Sequence, residues 1–394
     1  MRASTDGPSV DDPTRVAVSV VLPCLDEAAS VGQCVKEALD ALSSAGLFGE
    51  VIVVDNGSTD RSAEIARDAG ARVVQESRPG YGSALLAGFD AALGDVGVMA
   101  DADLTYDLSR IPELVAPVLA GEADLVLGAR FSGATRETMP LLHRFVGTPC
   151  ITFLVARACG GRVVGDSQSG FRAFRREAVA ELELESTGME LASEMLIRAA
   201  RHNLRIQEID TGYRARVGES KLDTFSDGWR HLKLILLLAP DLLLVGPGAV
   251  LFALGGLLSV IGLFASSGVT VGSTRWQPVF FSGICMVLGV QALLAGVVVA
   301  YRSSLASHGV HRRFSFVGRP NFPGHCRLAG SALIMVGLVI DAALFFEWLG
   351  GGSSPPVSGL GEASLAQSLL IVGGTLASFG TVSPFLFPDA EAVS

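Results

Sequence analysis

VIVVDNGSTD, residues 51–60, decides the fold. Residues 51–54 are apolar without interruption and end on Asp55; an Asn-Gly turn follows, and a helical pattern runs from about Asp60 to Ala69. A strand with no polar alternation is buried on both faces, and one that hands over to a helix belongs to a parallel sheet. Working outward, the unit recurs. Residues 16–22 form an apolar run ending at Pro23, with a helical pattern through about Ala45. Downstream come strands at 72–75, 96–100 and 124–127, and a helix from about Ser83 to Leu93. The expectation is an α/β domain over residues 15–223: a mostly parallel sheet with helices on both faces. Open sheets of this kind bind ligands beyond the carboxyl ends of their strands. The candidates are therefore PCLDE at 23–27, DNGSTD at 55–60, RPGYG at 78–82 and DAD at 101–103. Each is polar, acidic or glycine-rich.

Asp101 and Asp103 follow a strand that emerges at that edge, so the pair can reach a divalent cation held between them and a diphosphate. Magnesium and manganese prefer such oxygens. The ion would offset charge building on a departing nucleoside diphosphate. Asp55 and Glu27, at two other strand ends, can accept hydrogen bonds from a nucleobase and from ribose hydroxyls. A capping or turn role for Asp55, shared with Ser58 or Asp60, is the competing reading. Gly80 and Gly82 lie between a strand and a helix, where bare backbone approaches a phosphate or simply makes a tight turn.

The chain has 394 residues, a mean hydropathy of +0.45 and 18% charged residues, too apolar for a wholly soluble protein. Charges are frequent up to about Lys233 and sparse beyond it, which marks a boundary between a soluble and a membrane unit. A net charge of −10 argues against nucleic acid as a partner. Cys24, Cys34, Cys150, Cys159, Cys285 and Cys326 show no metal or disulfide spacing, which fits a reducing compartment. Residues 1–14 are polar, with Pro8 and Pro13, and read as a disordered lead-in without a signal sequence.

A bilayer needs roughly 20 apolar helical residues to cross it. Residues 242–264, 279–301, 328–349 and 367–387 qualify, within an all-α transmembrane domain of four helices over 241–388 and ahead of a short tail at 389–394. Between the second and third spans lie Arg302, Arg312, Arg313, Arg319 and Arg327 with no acid; the other two loops offer only Arg275. The positive-inside rule makes that basic loop cytoplasmic, and with it both termini and the first domain of a multi-pass plasma-membrane protein. Residues 224–240 place Trp229, Leu232 and Leu236 near helical spacing, with Arg230, His231 and Lys233 available to lipid headgroups. This reads as an interfacial amphipathic helix. Asp341, about 13 residues or about 20 Å into its span, lies past the midplane, where interhelical packing or a water-filled crevice is its expected place.

Taken jointly, VVLPCLDE at 20–27, VIVVDNGSTD at 51–60, RPGYGSAL at 78–85, MADADLTYD at 99–107, GDSQSGFRAF at 165–174 and RVGESKL at 216–222 resemble the family-2 inverting glycosyltransferases. The similarity is to the branch of dolichol-phosphate mannose and glucose synthases, over about residues 16–225. The resemblance implies a nucleotide-sugar-binding fold of the GT-A type and inversion at the anomeric carbon. It implies that Pro23, Leu25, Glu27 and Asp55 contact the nucleoside, that Asp101 contacts the nucleotide, and that Asp103 is the principal metal ligand (Mg or Mn). Asp166 is the remaining candidate acid or base, or else it orients an arginine or lysine. Three positions depart from the pattern. Asp26 stands where asparagine is common, Tyr81 where the glycine loop often has a basic residue, and either Arg214 or Arg216 fills the arginine position before GESK.

The chemistry suits a polyprenyl or dolichyl phosphate acceptor. A phosphate monoester is mostly dianionic near neutrality, with its second pKa about 6, and needs little help from a base. It does need cations that bring two anions together, and Arg172, Arg214, Arg216 and Lys221 are the candidates. A juxtamembrane patch for lipid headgroups is the alternative for this basic group. Glu190 and Glu194 share a helix face that either reaches the site or serves as a solvated or capping face. A processive polysaccharide synthase would carry Q-x-x-R-W, but Arg275-Trp276 has Gly272 in place of the glutamine. A non-catalytic membrane partner that only binds nucleotide is the reading from another class. The donor (UDP- or GDP-linked) and assembly into a homo-oligomer are left open by the sequence.

Overall fold

The computed structural model describes residues 16–130, 148–159, 165–216, 224–264, 269–271, 274–302, 314–350 and 360–386. Lys221, the lead-in and the C-terminal tail lie outside the described residues. The chain divides into two compact units, Met1–Leu234 and Ile235–Ser394.

The first unit is built on β1 (Val18–Cys24), β2 (Gly49–Asp55), β3 (Arg72–Gln75), β4 (Val96–Met99), β5 (Leu125–Ala129), β6 (Arg172–Arg175) and β7 (Ile206–Asp210). They form a 7-stranded sheet in the order β3-β2-β1-β4-β6-β5-β7. β2 and β4 flank β1 in parallel, and β3 extends β2 in parallel. β6 is antiparallel to both β4 and β5, and β7 runs parallel to β5. The uninterrupted apolar runs occupy the middle: β4 and β5 are buried at every position, whereas β3 and β7, at the edges, are partly exposed.

Helices α1 (Val31–Ser44), α2 (Ser62–Asp68), α3 (Tyr81–Ala91) and α4 (Ile111–Leu119) follow the first four strands, and α5 (Thr148–Ala158), α6 (Arg176–Ala180) and α7 (Leu191–Arg201) come later. α1 buries Val31, Cys34, Val35, Ala38, Ala41 and Leu42, the i, i+3, i+4 recurrence of a single apolar stripe. The result is an α/β domain with a mostly parallel sheet. Because β6 runs backwards, the segment before it reaches the edge where β1, β2, β4 and β5 end. Residues 165–171 thus join the carboxyl edge from the opposite direction.

α8 (Thr224–Leu238) corrects one assignment. His231 is only 4% exposed and faces into the protein, while Trp229 and Leu232 are exposed at 62% and 39%. Arg230 and Lys233 share the exposed side with those apolar residues. His231 is therefore not a headgroup contact.

Among the described residues, the second unit has four helices long and apolar enough to cross a membrane: Asp241–Phe264, Val279–Tyr301, Phe322–Gly350 and Leu360–Leu386. Of the third, only Cys326, Gly330 and Gly337 are buried, so its apolar side chains face outward, as hydrocarbon requires and water would not allow. The last two pack through small residues: a Cβ on Gly330 would lie 2.5 Å from the carbonyl oxygen of Gly373. Backbones approach this closely in lipid because dispersion replaces hydrophobic driving force there. A short hairpin, β8 (Val269–Val271) with β9 (Thr274–Trp276), separates the first two helices. Asp341 is half-buried.

Candidate active site

The ends of β1 and β2 are tied together before any ligand is considered. Asp26 adopts φ +50°, a region in which Asp and Asn are the tolerated non-glycine residues. Its carboxylate accepts from the Thr59 amide at 2.6 Å and the Thr59 hydroxyl at 3.1 Å. The Asp26, Glu27 and Ala28 amides donate to Ser58 Oγ, Ser62 Oγ and Asp60 Oδ2. Turned this way, Leu25 is 39% exposed and Pro23 is half-buried, leaving apolar surface at the edge. Asp55 is 5% exposed and accepts from the Ser58 amide and Gln75 Nε2, both at 2.9 Å. The turn-forming reading of Asp55 is thus satisfied.

The glycine loop is held from both sides. Asn56 donates to the Glu76 and Arg78 carbonyls and accepts from the Gly80 amide at 2.8 Å. A Cβ on Gly80, where φ is +131°, would lie 2.2 Å from the Thr187 carbonyl oxygen; one on Gly82 would lie 2.3 Å from that of Ser186. These glycines make room for the protein's own 186–188 backbone, which accepts the Ser83 amide at 3.1 Å. Glu194 fixes that backbone: fully buried and paired with Arg198, it accepts the Glu185 and Ser186 amides. Glu190 stands at the N-cap position of α7 and accepts the Gly188 amide.

β4 delivers the acidic pair. The Tyr81 hydroxyl donates to Asp101 Oδ1 at 2.8 Å. A Cβ on Gly170 would approach the Tyr81 oxygen and both Asp101 carboxylate oxygens to about 3 Å, so the cradle closes only over a glycine. Burial, then the neighbouring Asp103, pushes the Asp101 carboxyl up to about 6 against the pull of the tyrosine bond. Asp103, 6% exposed, accepts from the Thr105 amide and hydroxyl. Arg216 joins β1 to β4: its Nη2 meets Glu27 Oε1 at 2.8 Å and its Nε lies 3.5 Å from Asp103 Oδ2.

At the end of β5, Arg130 grips Asp166 with both prongs of its guanidinium, Nε to Oδ2 at 2.6 Å and Nη2 to Oδ1 at 2.7 Å. Its face lies 5.4 Å from the centre of the Tyr213 ring. Glu208 accepts the Gly165 and Asp166 amides and so fixes the loop. Burial raises the Asp166 pKa, but the Arg130 bonds and charge outweigh it, and the net shift is downward. Asp166 is held ionised by an arginine, which suits orientation better than proton transfer.

Two of the sequence candidates lie elsewhere. Arg172 is wholly buried and donates to the carbonyls of Ser169, Ala192 and Ser167 at 2.9, 2.6 and 3.0 Å. Burial lowers its pKa to about 10. It is a strut of the 165–171 loop and cannot meet an acceptor phosphate. Arg214 pairs with Glu37 at 3.2 Å and Asp107 at 2.7 Å, so Arg216 is the arginine that reaches the acidic pair. Lys221 is outside the described residues. Two residues that close this edge, Arg130 and Tyr81, were not among the site candidates. Arg130 follows an apolar run directly, and the rule that picked out Asp55 and Asp101 applies to it equally. Nothing in the sequence signals that Tyr81 reaches an aspartate 20 positions away.

The donor set fits a hard divalent cation. Among the described residues no group of three or more His, Cys, Asp and Glu gathers as metal ligands, so a cation held by Asp101 and Asp103 would have to complete its coordination from elsewhere. Magnesium and manganese sites at phosphates are built this way.

The carboxylate pair, Arg216 and the Arg130–Asp166 pair share one strand edge, the place where open α/β sheets bind their ligands. The family described as glycosyl transferase family 2 matches residues 19–183. The low-salt glycan biosynthesis hexosyltransferase Agl6 of Haloferax volcanii is 35% identical over 379 residues, 95% of this chain and 89% of that protein. The dolichyl-phosphate hexose transferase of the same organism is 37% identical over 212 residues, 54% of this chain and 89% of that one. A solved structure of glucosyl-3-phosphoglycerate synthase from Mycobacterium tuberculosis, in complex with Mn2+, UDP-glucose and phosphoglyceric acid, is 31% identical; it covers 56% of this chain and 78% of its own, with a TM-score of 0.46. The chain belongs to glycosyl transferase family 2.

Proposed function

We propose that this protein transfers a hexose from a UDP- or GDP-linked donor to a polyprenyl or dolichyl phosphate, with inversion, at the cytoplasmic face of the membrane. The observation that carries the reading is the shared carboxyl edge. Asp101 and Asp103 end β4, and the Arg130–Asp166 pair and Arg216 stand on the same edge. Asp101 and Asp103 would hold magnesium or manganese, which supplies Lewis-acid stabilisation to the leaving diphosphate. Pro23 and Leu25 offer apolar contact to a base, Glu27 and Asp55 acceptors for its polar edge and ribose. Arg216 and Lys221 draw in the acceptor phosphate, whose own charge makes it the nucleophile at the anomeric carbon. Asp166, locked ionised by Arg130, orients rather than deprotonates.

Four apolar helices and the exposed Trp229 and Leu232 of α8 support an acceptor that lives in a bilayer. The arginine-rich 302–327 segment supports cytoplasmic termini. The likeness to a dolichyl-phosphate hexose transferase supports the acceptor class. The test is to incubate the full chain in detergent or nanodiscs with polyprenyl phosphate, Mg2+ or Mn2+ and radiolabelled nucleotide hexoses. An acid-labile, chloroform-soluble product is expected, absent with Asp103→Ala. Transfer to a soluble acceptor but none to the lipid phosphate refutes the acceptor assignment.

A further inference from the structure

His231 is out of character with its helix. Its exposed neighbours on α8 are Trp229, Arg230, Leu232 and Lys233, yet its own ring is 4% exposed. A polar ring taken out of water is costly unless it is hydrogen-bonded. Here Nδ1 lies 3.1 Å from Ser193 Oγ, and Ser193, on α7, is fully buried. Ser193 Oγ in turn accepts from Gln168 Nε2 at 3.2 Å. With that oxygen already accepting, the single serine proton is free to point at the histidine Nδ1. Gln168 belongs to the loop that carries Asp166: its amide donates to Asp166 Oδ1 at 3.2 Å, and its side chain also reaches Ser167 Oγ. Arg172 strengthens the joint, because it binds the Ala192 carbonyl on α7 and the Ser167 and Ser169 carbonyls on the loop with one guanidinium. The loop therefore has little freedom to move without α7, and α7 is bonded to α8 through a buried polar contact.

We infer that His231, Ser193 and Gln168 are positioning residues: the hydrogen-bonded chain they form sets the Asp166–Arg130 pair according to how α8 is seated. The inference rests on the proposed reading of α8 as a helix at the bilayer surface and of Asp166 as an orienting residue. It assigns a task to a histidine that lies outside every motif. A chain of buried hydrogen bonds transmits geometry because each unmade bond costs a desolvated group. The turns after β1 and β2 are tied to one another without α7, through the Asp26–Thr59 bonds and the Asp26, Glu27 and Ala28 amides. Disturbing α8 should thus spare residues 51–60.

The experiment uses the full chain in nanodiscs. His231→Phe and Gln168→Leu break the chain at its two ends, and His231→Asn keeps a hydrogen-bonding side chain at position 231. Amide hydrogen exchange of residues 165–169 is followed by mass spectrometry, beside kinetics with polyprenyl phosphate and the active nucleotide hexose. Both breaking variants are expected to speed exchange in that loop at least fivefold and leave residues 51–60 unchanged. Both should lower kcat about tenfold with the donor KM within twofold, and His231→Asn should recover most of the loss. The double variant should be no worse than either single one, since two cuts in one chain are not additive. Unchanged exchange at 165–169 in His231→Phe overturns the inference, as does additivity or a defect shared equally by residues 51–60. Exchange that behaves as expected in a protein that makes no lipid-linked product would leave the positioning chain standing and remove the acceptor reading instead.

Discussion

Replacing Tyr81 with phenylalanine removes one oxygen and, with it, the 2.8 Å bond to Asp101. Hydrogen bonds to ionised groups contribute about 1.5–3 kcal/mol. Asp101 keeps some contact with solvent, which sets the expectation at the lower end, about 1.5 kcal/mol. At 1.36 kcal/mol per pKa unit that is about one unit. The Asp101 pKa, already pushed to about 6 by burial and by Asp103, should therefore rise to about 7. Only the ionised carboxylate can hold a cation, so the acidic limb of kcat/KM for the nucleotide sugar should move up by about one unit at limiting Mg2+. Stability follows with a definite sign. A carboxyl whose folded pKa is raised is ionised at the expense of the fold, so its contribution is best at low pH and declines as pH rises to the folded pKa. The variant should match the parent in thermal stability near pH 5 and fall behind it by about 1.5 kcal/mol near pH 8. An acidic limb that stays in place, or a stability loss equal at both pH values, refutes the assigned role of the phenol.

Three further outcomes follow from the same geometry. Gly82→Ala forces a methyl group against the backbone of residues 186–188 and should cost about 1–3 kcal/mol in thermal stability, with nucleotide affinity falling about tenfold by calorimetry. Arg130→Lys keeps the charge but loses the fork on Asp166; kcat should fall about 10-fold to 150-fold in steady-state assays while the donor KM moves less than about threefold. Arg216→Ala should reduce kcat/KM by about 100-fold, whereas Arg214→Ala, which pairs with Glu37 and Asp107 and not with the acidic pair, should stay within about threefold of the parent.

β1, β2 and β4 were legible because each is an apolar run that ends abruptly on a polar or glycine-rich turn; residues 51–55 are the plainest case. β6 and β7 were not legible. Arg172 and Arg175 bracket β6, and β7 reads IQEID, so neither shows the uninterrupted apolar run that betrays a buried strand. The same difficulty explains Arg172: an arginine next to a motif looks like a ligand for anions, and nothing in the residue type says that three carbonyls will claim it. Arg214 and Arg216 were indistinguishable by spacing and separated only by which acids face them. His231 sat among Arg230 and Lys233 and was read with them, although a helix turns about 100° per residue and sends adjacent side chains to different faces.

Antiparallel β6 has a consequence for how such a molecule changes over time. Arg130 leaves the sheet and Gly165 returns at the same rim, where the Arg130 amide meets Asp166 at 3.2 Å. That contact is made by the Arg130 backbone amide, so it survives any change of the Arg130 side chain short of proline, and over successive substitutions Asp166 keeps its tie to the rim even where the guanidinium grip is altered.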